Sequence, residues 1–262
     1  MVICAVQNIT EDPIMIDEET IRKLRELNLD DIVDILEVQQ KDVDILVQPF
    51  EDRMKLIIDY LYTQKYNKRI QRFQKQAKFR FPSADVYTLV YEGRPITKQQ
   101  IFELATCSFT RMHTNIIFQG YTGSGKTHLA CALGKEACVR QMRTRYVRLP
   151  DLLMEYEEAA NTSTQKKMKL LNKLSRYQVL IIDEWLMEDL SEEEEYFLFE
   201  LTERRYDAAS TIFCTQYREA DWLKRLGSNV HAEAIMDRIV HNAIWIETGK
   251  VNMREYLAKT RR

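Results

Sequence analysis

The chain has 262 residues, 45% of them hydrophobic and 30% charged, enough for one sizeable globular domain with a small companion. With 38 Lys and Arg against 40 Asp and Glu the net charge is −2, which excludes a general polycation and leaves any nucleic-acid contact to local patches. No apolar run approaches the ~20 residues of a membrane span, residues 1–6 are too short and too poor in basic groups for a signal sequence, and the five cysteines (Cys4, Cys107, Cys131, Cys138, Cys214) form no C-x-x-C pair, so a reduced, cytoplasmic protein with no membrane partner is expected.

Residues 1–17 show no clear period and predict a frayed or strand-like start. From Glu18 the spacing of Ile21, Leu24 and Leu27 predicts a helix. Asn28 interrupts it, and Asp30 or Asp31 is placed to cap a second helix carrying Ile32, Ile35 and Leu36. Pro49 suits the first turn of a long helix to about Ala77, with Tyr62, Tyr66, Ile70, Phe73 and Ala77 on one stripe. Residues 1–78 are thus expected to form a helical N-terminal domain built on an antiparallel hairpin. Residues 79–96, with two prolines and a glycine, read as a linker, and residues 97–262 as an α/β nucleotide-binding domain opened by a helix that Thr97 caps.

The stretch Asn115–Thr127 carries most of the chemistry. An apolar strand, Asn115 to Phe118, runs into Gly120, Tyr121, Thr122, Gly123, Ser124, Gly125, Lys126 and Thr127, which fit G-x-x-x-x-G-K-[ST]. Glycines let backbone N–H groups approach phosphate oxygens, and the helix that follows adds the positive end of its dipole. Lys126 is expected to reach the β- and γ-phosphates of ATP, and the Thr127 hydroxyl to ligate Mg²⁺. His128 is expected to cap or pack at this turn rather than act as a base. A second strand at 144–149 and two short helical patterns lead to Val179–Glu184, four apolar residues and two carboxylates. This reads as a Walker B strand, with Asp183 holding Mg²⁺ and Glu184 polarising the attacking water. A buried strand that ends in surface acids is the plain alternative. Ser191 to Glu194 is a capping box for the next helix. Residues 210–216 are a further strand whose Gln216 either falls where ATPases sense the γ-phosphate or is a plain loop glutamine, and a last strand is expected near 243–248.

Charge is unevenly spread. Residues 11–59 hold fifteen acids and six bases, whereas Lys65–Arg80 hold seven bases, Lys68, Arg69 and Arg72 among them, and no acid. Arg140–Arg148 and Gln165–Arg176 are also acid-free, the latter with Lys166, Lys167, Lys169, Lys173 and Arg176. Such runs are either solvated faces or tracks for the phosphates of duplex DNA. None offers a recognition helix, so contacts are expected to be largely independent of sequence.

Six segments together carry a family resemblance: LRELNLDDIVDIL, PFEDRMKLII, GYTGSGKTHLACALGKEA, VLIIDEW, TERRYDAASTIFCTQYREADW and MDRIVHNAIWIETGKVNMR. With these the chain resembles the IstB-like ATPases, AAA+ helper proteins of insertion-sequence transposition related to the DnaC helicase loaders. The resemblance implies an AAA+ core and an ATPase that assembles on DNA as a homo-oligomer through its ATP interfaces. It implies a transposase as partner, with a replicative helicase as the alternative. It makes Gln216 the first sensor, where Asn is usual, and Arg238 an arginine finger acting on a neighbour's ATP. It also places a DNA-facing helix at Gln165–Arg176. Only 24 residues follow Arg238, so no helical lid with a second-sensor arginine is expected, and the linker should help cover the adenine. A phosphate-loop kinase or a non-hydrolysing scaffold would leave Glu184 and Arg238 without a role.

Overall fold

The computed structural model describes residues 17–260. The expectations for residues 1–16 and for Cys4 lie outside the described residues. The chain divides between Arg69 and Ile70 into two compact units.

The first unit is helical: α1 (Glu18–Glu26), α2 (Asp30–Lys41), α3 (Val43–Leu46) and the start of α4 (Phe50–Ala77). Asp17 caps α1 by accepting the Thr20 N–H, and Asn28, at φ 57°, turns the chain into α2. Neither Asp30 nor Asp31 caps α2, contrary to expectation. Both sit inside its first turn, behind Leu29, which gives no side-chain cap. There their carboxylates favour the helix dipole instead. Gln39 Nε2 donates to the Arg53 carbonyl (3.0 Å), and Lys68 Nζ meets Asp31 Oδ1 (2.7 Å). As α2 is followed back from residue 39 to 31, α4 advances from 53 to 68, so the two run antiparallel.

The second unit is a five-stranded parallel sheet in the order β2-β3-β4-β1-β5. The strands are β1 (Asn115–Gln119), β2 (Thr144–Arg148), β3 (Val179–Asp183), β4 (Ser210–Thr215) and β5 (Ala243–Glu247). Helices cover both faces, which is why the central strands are apolar at successive positions. Ile116, Phe118, Ile181, Ile212 and Cys214 face α5 (Lys98–Ala105) and α6 (Lys126–Val139). Ile117, Leu180, Ile182 and Phe213 face α7 (Leu149–Thr162), α8 (Thr164–Ser175), α9 (Glu192–Arg205), α10 (Glu219–Arg225) and α11 (Val230–Val240). The expected cap and box are present: Thr97 opens α5, there in a capping box with Gln100, and Ser191 with Glu194 opens α9.

Two features position the site. Arg205, 4% exposed, donates to the carbonyls of Leu174 (2.9 Å), Tyr177 (2.8 Å) and Ser210 (2.6 Å) and to Thr211 Oγ1 (2.9 Å). It thereby ties the end of α8 to the starts of β3 and β4, and burial pushes its pKa down to about 9. Residues 79–96 are no free tether either. Phe79, Ala84, Val86 and Ile96 are buried in the same core as β1 and α6. They carry no sequence period because tertiary packing, not secondary structure, sets their burial.

Candidate nucleotide-binding site

β1, β3 and β4 deliver their C-terminal ends to one place. Beyond β1 the chain turns through residues 120–125 into α6, with Gly125 as N-cap at φ 88°, a left-handed conformation that favours glycine. At Gly120 a Cβ would stand 2.2 Å from Thr248 Oγ1, so only glycine passes there. Lys126 is 9% exposed, and its Nζ donates to the carbonyls of Gly120 (2.7 Å) and Tyr121 (2.9 Å). Burial lowers its pKa.

Thr127 Oγ1 donates to Asp183 Oδ2 (2.8 Å), which also accepts the Tyr146 hydroxyl (2.8 Å). A hydroxyl and a carboxylate in contact are hard oxygen donors of the kind Mg²⁺ takes. A cationic loop beside them fits a nucleotide phosphate. Gln216, just past β4, accepts the Thr122 hydroxyl through Oε1 (2.8 Å), so the end of β4 reaches the loop.

Glu184 follows Asp183 at φ 57°. Its Oε2 accepts from Arg148 Nε (2.9 Å) and Nη2 (2.7 Å), and its Oε1 from Arg80 Nη1 (3.3 Å). The Arg148 hydrogen bonds hold its carboxyl below the usual range. In the sequence both arginines belong to the basic segments. Their shared partner becomes visible only when β2 lies beside β3 in the sheet.

A cavity of about 340 Å³ opens beside the loop. It is lined by Lys126, Thr127 and His128, by Phe81, Leu89 and Arg94 of the segment before α5, and by Met253, Arg254 and Leu257. The last three belong to α12 (Met253–Thr260). The chain after β5 is bolted to the loop: Thr248 Oγ1 and Ser124 Oγ are 2.7 Å apart, and Met253 N–H donates to the Gly123 carbonyl (2.9 Å). The short helix α12, which carries Arg254, therefore stands beside the loop together with the segment before α5. His128 tilts against the Phe81 ring (5.8 Å between centroids), and burial lowers its pKa, so it packs as expected.

Other expected residues lie elsewhere. Arg238 is at the opposite end of the strands, lining a small cavity with Asn115 and Thr211, and its Nη2 meets Glu203 Oε2 at 2.5 Å. Within one chain it does not join the loop. Of the basic residues, Lys68 is neutralised by Asp31, Arg72 lies over the Phe73 ring, and Arg145 pairs with Glu155. Arg69 is exposed on α4. On α8, Lys167 is half-buried, with its Nζ over the Tyr156 and Tyr196 rings (5.1 and 5.9 Å). Lys166, Lys169 and Lys173 are exposed and share one face of that helix.

Comparison with known proteins agrees with this geometry. The family model described as "IstB-like ATP binding protein" matches residues 22–261. An insertion-sequence ATP-binding protein of Sinorhizobium fredii is 31% identical over 201 residues, 77% of this chain and 80% of that one. Another, from Pseudomonas fluorescens, is 32% identical over 203 residues, covering 77% and 87%. The solved DnaC helicase loader superposes with a TM-score of 0.55 at 22% identity, covering 64% of this chain and 98% of that one, a likeness of AAA+ fold. The chain belongs to the IstB-like ATP-binding proteins of insertion sequences.

Proposed function

We propose that the protein is a Mg²⁺-dependent ATPase that assembles on duplex DNA and there recruits or activates the transposase of its insertion sequence. The observation that carries the ATPase reading is the convergence of Lys126, Thr127, Asp183, Glu184 and Gln216 at one end of the sheet. In this reading Lys126 exchanges its loop carbonyls for phosphate oxygens. Thr127 and Asp183 hold Mg²⁺, which would offset charge on the phosphates. Glu184 orients the attacking water once its carboxylate is released from Arg148. Gln216 reports on the γ-phosphate through Thr122. Arg238 acts on a neighbouring subunit's nucleotide after leaving Glu203, which makes the oligomer the hydrolysing form.

The test is to measure binding and turnover separately. Lys126→Ala should lose ATP binding, whereas Glu184→Gln should bind ATP normally and hydrolyse it about a hundred-fold more slowly or worse, on the order of one missing catalytic group. Glu184→Gln turning over at the parental rate would remove that carboxylate from the mechanism. On DNA, the wild-type protein should retain a transposase in pull-down only when ATP is bound. Capture of a replicative helicase instead would move the partner to the alternative.

A further inference from the structure

The cavity beside the phosphate loop holds a cation that the reading above leaves unused. Arg94 lies in the segment before α5, and its two outer nitrogens donate to main-chain carbonyls: Nη1 to Val90 (3.0 Å) and Nη2 to Ser124 within the loop (2.7 Å). Its Nε is buried with no acceptor. Among the described residues no carboxylate pairs with it: nearby Glu92 accepts the Tyr256 hydroxyl instead. Burial lowers its pKa. A half-buried guanidinium that meets only neutral carbonyls is poorly compensated.

The surroundings indicate what would compensate it. Arg94, Lys126 and Arg254 line the cavity, and among the described residues no carboxylate does. Arg94 Nη2 stands 3.3 Å from where a Cβ on Gly125 would be, so it reaches the start of α6, where the helix dipole also favours an anion. Phe81, Leu89, Val90, Met253 and Leu257 give the lining an apolar side that suits a base. Asp183, Glu184 and Gln216, the groups assigned to the terminal phosphate, are not in this lining. Arg94 therefore sits between the base side and the phosphate loop.

We propose that Arg94 is a nucleotide-binding residue that grips the phosphate oxygens common to ADP and ATP, holding the segment 79–96 closed over the bound nucleotide. The proposal rests on the ATP-binding reading. It assigns the linker a charged contact in addition to apolar cover, and a planar fork suits two phosphate oxygens better than a lysine would.

The experiment measures ATP, ADP and adenosine affinities, the last by competition, for wild type, Arg94→Gln and Arg94→Lys, with the melting temperature of each nucleotide-free protein as folding control. A charge-assisted bond of this kind is worth about ten- to a hundred-fold in affinity. Arg94→Gln should weaken ADP and ATP by the same factor in that range and leave adenosine unchanged, with Arg94→Lys between it and wild type. Three results would overturn the proposal: unchanged ADP affinity, a loss confined to ATP, or an equal loss for adenosine, which would make Arg94 a structural pin. Should Arg94→Gln melt early, the same comparison with Arg94→Lys decides. Wild type binding neither nucleotide would defeat the ATP reading itself, a result distinct from all of these.

Discussion

At the scale of single residues, the ion pair between Glu184 and Arg148 is the contact with the largest consequence for turnover. Arg148 stands at the end of β2 and Glu184 just past β3, which the sheet register brings side by side. A carboxylate held by a guanidinium is a poor partner for water, so in the proposed ATPase the pair would restrain hydrolysis until something separates it. Both side chains are partly exposed, 41% for Arg148 and 31% for Glu184, so the restraint is modest. Exposed pairs are worth about 0.2–1 kcal/mol, and Arg148→Ala should therefore raise DNA-free ATP turnover by up to about five-fold with little change in ATP affinity. A steady-state assay checks this. Turnover below wild type would show that Arg148 supports the reaction instead of restraining it.

At the scale of elements, α8 carries three exposed lysines on one face that enter no ion pair among the described residues. The three basic segments look alike in sequence, but their fates differ. Lys68 is spent on Asp31, Arg140 on Glu136 and Arg145 on Glu155, while Lys166, Lys169 and Lys173 enter no ion pair among the described residues and share a face. Replacing these three by Ala should weaken duplex binding on every sequence and lower the magnitude of the log–log salt slope by up to about 3 per protomer, nearly one for each phosphate no longer neutralised. Fluorescence anisotropy over a salt series measures it. An unchanged slope would leave α8 a solvated surface and move the DNA face to Lys65, Lys75 and Lys78. Elements were also what the sequence showed best. The phosphate loop, the apolar strand that ends in Asp183 and Glu184, the Thr97 cap and the Ser191–Glu194 box are local patterns, fixed within a few residues. The contacts that complete the site are not local. Arg94 meets the loop across 30 residues, Arg148 meets Glu184 across 36, and Thr248 meets Ser124 across 124. No periodicity encodes such pairs. The cap expected of Asp30 or Asp31 failed for a related reason: two adjacent acids look alike as caps and as first-turn residues, and only backbone geometry separates them.

At the scale of the whole molecule, the proposed function requires that ATP build an assembly on DNA. Arg238 lies at the far end of the strands from its own phosphate loop, so one chain cannot complete the site in the proposed way. Single subunits would also offer few phosphate contacts, and assembly multiplies them. The most direct measurement is sedimentation velocity of Glu184→Gln protein with duplex DNA, with ATP or with ADP, alongside the double variant Glu184→Gln/Arg238→Ala. With ATP the Glu184→Gln protein should sediment as a large, long-lived DNA complex that ADP does not support, and removal of the Arg238 guanidinium should weaken it. A species of monomer size that is the same with ATP and with ADP would contradict the account.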